Sequence, residues 1–535
     1  MPMRVPPLLS LLLLFLPLLS GAATLPSAPS APAATAQDVA KDPVADLEQL
    51  TRGLAAADFA DPAEVLTAEI LFHDLRLHWT AQENRQSEIA AATAGWIGTI
   101  TEREALGKSG LLETRSAQRA VEWFGPRLDP GVVAWIGREL AIVSSGGSVA
   151  TRAGACRMLA ASEHAGARMA LFAATRDTER LVRDTALAGL VGRDDQAVHT
   201  LLIDLLAEAE SGKLDVRKGL IEEHFRTATI KRADASFARV LIYVRRRLVA
   251  EDWRRASRAI SVGRCLENLV ILGPLIEALP VWMERGAAGL QAKRIQGDVL
   301  DELHRRTGRK LGLHPDRWRL LLEAVRKGEL DLDAGAADGS RPYSEASFFG
   351  LRPWTDRVVF VIDRSGSMSY PFGPGADHSP KDAESSRYEA AISQLVDFLE
   401  ELGPLTKFDV VLFSNGAQRW RRELVPVTKE NLRSVSSWAI AEDTGGGTQL
   451  RAGIELSASL KRGRPLDLEE LEADTVIVLC DGDTDEGPDW VPGFLQGVND
   501  EARLRFHAVQ IGGSGDGTLR ALCEGSDGDY LRVDE

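Results

Sequence analysis

From about residue 43 to residue 330, apolar side chains recur at i, i+3, i+4 and i+7, and Ala, Leu, Arg and Glu dominate. That spacing lines one stripe of a helix, and those residue types are strong helix formers. The prediction for 43–330 is therefore an all-α domain. Beyond residue 350 the rhythm changes. Arg357–Ile362 is a continuous apolar run, and Phe408–Phe413, Thr475–Leu479 and Phe506–Ile511 repeat its character. Such runs suit parallel strands covered on both faces. Helical patterns separate them at Arg387–Leu402, Gln449–Leu460 and Trp490–Asp500. Strands alternating with helices predict an α/β doubly wound parallel sheet over 351–535, with ligands at the carboxyl ends of the strands. The intervening 331–350, rich in Gly, Ala, Asp and Ser, reads as a linker.

The helical segment carries a weak internal repeat. Arg152-Ala-Gly-Ala155-Cys-Arg-Met-Leu159 aligns with Arg183-Asp-Thr-Ala186-Leu-Ala-Gly-Leu190, offset by 31 residues, and Arg217-Lys-Gly-Leu220 follows 34 residues later. A helix pair of that length cannot bury its own apolar face, so copies must stack. The pattern resembles HEAT-type repeats, with a shorter period than usual. An irregular helical bundle is the alternative, and in both cases the segment is a scaffold.

Residues 1–23 read as a signal peptide. Arg4 precedes an apolar run from Leu8 to Leu19, and Gly21-Ala22-Ala23 fits a small-x-small cleavage site, with Ala34-Thr35-Ala36 a second candidate. The run is too short to span a bilayer, which needs about 20 apolar residues; an uncleaved anchor is the alternative. Residues 24–42, rich in Ala, Pro and Ser, read as a flexible leader. With no later apolar segment of spanning length, the expectation is an exported protein, periplasmic or extracellular, with no membrane span in the mature chain.

Composition sharpens this. The chain has 535 residues and a net charge of −15, but residues 331–535 carry 20 basic and 37 acidic side chains, so nearly all the acidity sits there. Such a surface repels phosphate backbones and attracts cations. Four Cys (156, 265, 480 and 523) without any CxxC spacing exclude a disulfide-dense scaffold and argue against structural zinc. Lys231, Arg232, Arg245, Arg246, Arg247, Arg254, Arg255 and Arg258 form a basic stretch that fits either a solvated helix face or an anionic partner. Gly107-Lys108-Ser109 lacks the upstream Gly of a phosphate loop, since position 102 is Glu.

The candidate chemistry lies at the predicted strand ends. Asp363-Arg-Ser365-Gly-Ser367 follows the first strand, Asp443-Thr-Gly-Gly-Gly-Thr448 precedes a helix, and Asp481-Gly482 follows the Thr475–Leu479 strand and Cys480. Two carboxylates and three hydroxyls thus converge on one rim. All are hard oxygen donors, which suit Mg²⁺, Mn²⁺ or Ca²⁺ rather than zinc or copper. Together these motifs resemble the metal-ion-dependent adhesion site of the von Willebrand factor A domain family, over residues 352–535. The resemblance implies a Rossmann-like domain in which Ser365, Ser367 and often Thr448 touch the ion. It further implies that Asp363 and Asp481 act through water and that a partner's carboxylate completes the coordination. Two departures stand out: a long loop at Ser369–Ser386, expected to overhang the rim, and extra acids at Asp483, Asp485 and Glu486, which read as a solvated lip, with preference for Ca²⁺ or a second ion as the alternative.

The expected function is that of an exported, divalent-cation-dependent protein-binding protein, used in adhesion or assembly. Its acidic head captures a partner's Asp or Glu, and the helical array gives a second docking surface. Catalysis is not expected: there is no G-x-S-x-G elbow, no H-E-x-x-H and no phosphate loop, and only His378 and His507 fall in the domain. A metal-dependent hydrolase using His378 is one alternative. The other is an RNA-binding protein, because helical repeats joined to such a domain also resemble Ro-type proteins; the export signal and near-neutral array oppose it, and no nucleic acid is expected.

Overall fold

The computed structural model describes residues 42–57, 60–141, 148–332, 346–372, 385–460, 466–512 and 515–533. Residues 1–23 and the leader up to residue 41 lie outside the described residues, as do residues 373–384 of the long loop, including His378. Helices begin where local chemistry favours it. Asp42 and Asp61 cap the first two, accepting from the Val44 and Ala63 amides, and Pro43 and Pro62 fill the first turns. The first eight are α1 (Pro43–Ala56), α2 (Pro62–Ala81), α3 (Gln86–Ala105), α4 (Leu111–Phe124), α5 (Pro130–Ala141), α6 (Val149–Ala160), α7 (Ala165–Ala174) and α8 (Arg180–Ala188). There follow α9 (Gln196–Glu210), α10 (Lys218–Thr227), α11 (Phe237–Leu248), α12 (Trp253–Gly263), α13 (Asn268–Ala287), α14 (Lys293–Thr307) and α15 (Pro315–Arg326).

These helices stack in two layers. In one, α1, α3, α6, α8, α10, α12 and α14 pack each against the next; in the other, α9, α11, α13 and α15 do so, with α5 against α7. The aligned sequence copies fall on α6, α8 and the start of α10, neighbours in the first layer. Contact is tightest between α3 and α6, where two glycines let backbones meet. A Cβ on Gly98 would lie 1.5 Å from the Ala150 carbonyl oxygen, and one on Gly154 would lie 1.9 Å from that of Ala94.

The carboxy-terminal part alternates strands and helices. It comprises β1 (Arg357–Asp363), α16 (Arg387–Leu402), β2 (Lys407–Phe413), β3 (Ala417–Arg419), β4 (Val425–Pro426), α17 (Lys429–Ile440) and α18 (Leu450–Ser457). Then come β5 (Thr475–Cys480), the single turns α19 (Val491–Phe494) and α20 (Asp500–Ala502), β6 (Arg505–Ile511), α21 (Thr518–Gly525) and β7 (Tyr530–Val533). Strand order is β3-β2-β1-β5-β6-β7, with β1, β2, β5, β6 and β7 parallel. The sheet is mixed rather than wholly parallel, because β3 and β4 pair antiparallel with β2. Alternation along β1 feeds two cores: Val358, Phe360 and Ile362 meet α16 and α17, while Val359 and Val361 meet α18 and α21. All seven β1 residues are buried, which is why the strand reads as unbroken apolar sequence. Phe348 joins the first core, its ring 5.5 Å from Phe360 and 5.8 Å from Phe398.

The array grips the sheet at the amino ends of its strands. Asp356, just before β1, caps α14 by accepting from the Ala292 and Lys293 amides at 2.9 and 3.3 Å. Arg294 donates to the Asp474 carbonyl ahead of β5 at 3.0 Å, and Arg505 at the start of β6 reaches Asp298 of α14 at 2.8 Å. Arg254 of α12 donates to the Leu471 and Ala502 carbonyls, and Arg503 pairs with Glu222 of α10 at 2.6 Å. The opposite, carboxyl end of the sheet is left facing away from the array. The four cysteines are buried as free thiols, and among the described residues no helix is long and apolar enough to cross a membrane.

Candidate metal centre

Asp363 ends β1 fully buried, and the chain turns at once through a short 3-10 segment, Gly366–Ser369. One carboxylate oxygen, Oδ1, accepts the Ser365 amide at 2.7 Å; the other, Oδ2, accepts the Cys480 thiol at 3.2 Å. Ser365 Oγ and Ser367 Oγ lie 3.1 Å apart. Cys480 closes the neighbouring strand β5, so the parallel pairing of β1 and β5 brings Asp481 to the same point. Ligand atoms of Asp363, Cys480 and Asp481 all lie within 4.8 Å of one another.

The third loop is stitched in through its backbone. Gly366 donates to the Gly446 carbonyl at 3.3 Å, Gly445 to the Arg364 carbonyl at 2.8 Å, and Arg364 Nη1 to the Asp443 carbonyl at 2.9 Å. Gly446 takes φ = 87°, and a Cβ there would meet the Asn415 side chain at 2.7 Å, so this turn requires glycine. Thr448 is nearly buried on the same loop; its amide donates to Asp485 Oδ2 at 3.0 Å, and the Asp485 amide returns a bond to the Thr448 carbonyl at 3.1 Å. Asp363, Ser365, Ser367 and Asp481 thus lie together, with Thr448 on the adjoining loop.

Three participants escaped the sequence. Cys480, which the sequence offers no reason to place in the site, donates its thiol to Asp363. Arg387, the first residue of α16, places Nη1 3.7 Å from Asp481 Oδ2, stacks over the Tyr370 ring at 5.5 Å and reaches the Ser367 carbonyl at 3.4 Å. Asp485, expected in a solvated lip, is instead a bracket between two loops. The long loop is pinched at its base, where Phe372 donates to the Ser385 carbonyl at 3.1 Å. His507 is buried in β6 and accepts the Asp529 amide at 3.0 Å, a core histidine whose pKa burial pushes down.

The electrostatics are those of a site short of positive charge. Burial, with the nearby Asp481 carboxylate, pushes the Asp363 carboxyl up to about 6. Burial and Asp363 hold the Cys480 thiol well above its ordinary range, and its sulfur is a hydrogen-bond donor to Asp363. Two close carboxylates with adjacent hydroxyls and a protonated sulfur fit a hard divalent cation better than a soft one.

Residues 356–531 match the family model described as von Willebrand factor type A domain. The chain is 25% identical over 254 residues to inter-alpha-trypsin inhibitor heavy chain H4 of Homo sapiens, covering 46% of this chain and 24% of that one. It is 30% identical over 172 residues to heavy chain H1 of Sus scrofa, covering 31% and 17%. The chain therefore spans a quarter or less of these relatives' length. Among solved structures it is similar to a von Willebrand factor type A protein from Catenulispora acidiphila, with TM-score 0.27, 16% identity, and 34% of this chain and 40% of that one covered. It is also similar to proximal thread matrix protein 1 from the mussel byssus, solved with a zinc-occupied MIDAS motif, with TM-score 0.24, 19% identity, and 33% and 40% covered.

Proposed function

Because residues 356–531 form a von Willebrand factor type A domain, we propose that this is an exported protein that binds other proteins through a divalent cation. Asp363, Ser365, Ser367, Thr448 and Asp481 hold the ion; Mg²⁺ is the leading candidate, and Mn²⁺ or Ca²⁺ suit the same donors. When bound, the ion supplies a positive centre with an open position for an Asp or Glu carboxylate of the partner. The observation that carries this is the convergence of the buried Asp363 carboxylate with Asp481 and the Ser365 and Ser367 hydroxyls. An apo site of that kind is electrostatically incomplete, and a cation relieves it.

Export rests on the apolar run Leu8–Leu19 and its small-residue flank. The helical array reads as a HEAT-like scaffold offering a second docking surface. On α2 the side chains of Leu66, Ile70 and Leu77 are 54%, 66% and 57% exposed, and the 4- and 11-residue spacing sets them on one face.

Binding is preferred to catalysis because His507 is locked in the core and the described rim offers carboxylates without an imidazole base. The basic stretch is divided between the domain interface and solvent, which favours a protein partner over RNA. Arg254 and Arg258 point into the sheet domain, where they donate to Leu471, Ala502 and Asp500 carbonyls, and Arg247 pairs with Glu210 at 2.7 Å.

The test is calorimetric titration of the full chain with Mg²⁺, Mn²⁺, Ca²⁺ and Zn²⁺. It is followed by capture of partners from the native envelope fraction with Mg²⁺ against EDTA. Asp363→Ala and Thr448→Ala are expected to abolish ion uptake and Mg²⁺-dependent capture while circular dichroism stays native. Uptake identical in wild type and both variants would refute the assignment.

A further inference from the structure

Beside the metal loop runs a trough of about 570 Å³ between the Ser414–Gly416 turn and the Asp443–Gly446 loop. Its position follows from the fold. Arg364 immediately follows Asp363, and the turn joins β2 to β3, the outermost strand of the sheet. Two side chains give the trough its chemistry. The Arg364 guanidinium has five N–H donors, yet among the described residues it makes a single hydrogen bond, from Nη1 to the Asp443 carbonyl at 2.9 Å. Asn415 is exposed, and its Oδ1 accepts the Gly447 amide at 2.6 Å. Because an N–H can be met only by the oxygen of a carboxamide, that bond fixes the orientation of the group. Nδ2 is then a donor without a partner among the described residues. Arg364 and Asn415 thus line one trough as donors in want of an acceptor.

The charge balance selects the kind of acceptor. Asp443 is exposed on the lip of the same trough and offsets Arg364, so a second carboxylate gains little there, whereas a neutral carbonyl oxygen is not repelled. An extended main chain presents such oxygens at short, regular intervals and is the form in which peptides lie along sheet edges. We propose that this trough is a second subsite of the binding face. It takes an amide carbonyl of the partner's main chain beside the Asp or Glu captured by the ion, so the partner presents its acid on an extended segment. This inference rests on the cation-dependent binding proposed above.

The test uses the full chain with Mg²⁺ and two probes, acetate and the peptide acetyl-Gly-Gly-Asp-Gly-Gly-amide, titrated by calorimetry or NMR. The peptide is expected to bind about tenfold more tightly than acetate, the equivalent of one or two charge-assisted hydrogen bonds. Asn415→Asp keeps the Gly447 bond but turns the free donor into an acceptor, and Arg364→Met removes the guanidinium. Each should erase most of the peptide's advantage over acetate, with Mg²⁺ uptake retained. An unchanged ratio in both variants overturns the subsite while leaving the ion-dependent reading intact. A further gain for acetyl-Gly-Asp-Gly-Asp-Gly-amide that Arg364→Met removes would also overturn it, in favour of a carboxylate subsite. Wild-type protein that takes up no ion and binds neither probe would sink both readings.

Discussion

Asp298→Asn probes how firmly the helical array holds the sheet domain. The Asp298 carboxylate, on α14, accepts from Arg294 Nε at 3.0 and 3.2 Å, from Arg505 Nη2 at 2.8 Å and from Ser257 Oγ at 3.1 Å. Burial opposes its ionisation, but the two guanidinium groups outweigh burial and hold its pKa down to about 2, from an ordinary 3.8. A depression of that size is worth about 2–3 kcal/mol of folding stability. Because this pKa is depressed on folding, the contribution is complete above about pH 4 and is lost as pH falls through about 2. Asparagine keeps the shape but not the charge. Arg294, already held below its ordinary range by burial and by the like charge of Arg505, would then share a buried site with Arg505, and only the secondary carboxylates Asp474, Asp301 and Asp527 would offset the pair. Stranding buried charge in this way costs about 3–5 kcal/mol. Urea unfolding of the full chain at neutral pH, followed by tryptophan fluorescence, should show the loss. It should also show a broadened or split transition, because Arg505 belongs to β6 and its partner to the array. Adding Arg505→Met to Asp298→Asn removes one stranded cation and should restore part of the stability. A variant within about 0.5 kcal/mol of wild type, with an unaltered single transition, would refute the claim that this ion cluster couples the two parts.

The Asp363 pKa of about 6 is raised above the ordinary 3.8, so its contribution to the ion-free fold is present below about pH 4 and is lost as pH rises through about 6. Mg²⁺ should therefore raise Tm most above pH 6 and progressively less below it, as protons compete for the carboxylate. Differential scanning fluorimetry showing the same Mg²⁺ effect at about pH 5 and about pH 7.5 would exclude this. Gly154→Ala should weaken the array, because the added methyl would sit 1.9 Å from the Ala94 oxygen and 2.6 Å from the Gly98 amide nitrogen. Overpacking of this kind costs about 1–3 kcal/mol or more, and an unchanged Tm would mean that α3 and α6 are not held at backbone contact.

The parts of the fold that were legible in the sequence are those whose burial is uniform. β1, β5 and β6 lie between two helix layers and read as mainly apolar runs, and the long amphipathic helices of the array show their stripe directly. β3 and β4 were not legible: they are three and two residues long, only partly buried, and exist because they pair with β2. α17 also escaped, since Lys429–Ile440 is rich in polar residues and buries only Leu432, Val435 and Ala439. Within the site, Asp363, Ser365 and Ser367 share one short motif and could be read as a group. Arg387 could not, because its place beside Asp481 depends on where α16 enters the rim. The basic stretch shows the reverse failure. Eight cations close together in sequence are dispersed by helix geometry: Arg254 and Arg258 turn into the domain interface, while Arg245 and Arg246 stay exposed.

That dispersal bears on why the cation would be obligatory. The array binds the amino ends of the strands with arginines and acids that satisfy one another, so little of its positive charge reaches the carboxyl-end rim. There Asp363 and Asp481 lie together with Asp483, Asp485 and Glu486 in the following residues, and Arg387 is already engaged by Asp481. Two like charges about 4 Å apart repel by about 4 kcal/mol at an effective dielectric of 20. A partner carboxylate approaching the rim meets more than one such charge, and Arg364, which shares its trough with the Asp443 carboxylate, cannot reverse the sign alone. A divalent ion seated among the oxygens would reverse it, turning a repulsive point of the rim into an attractive one. On the proposed reading, acidity around the site is thus a specificity device: it suppresses carboxylate binding in the absence of the ion and raises the ion's own local concentration.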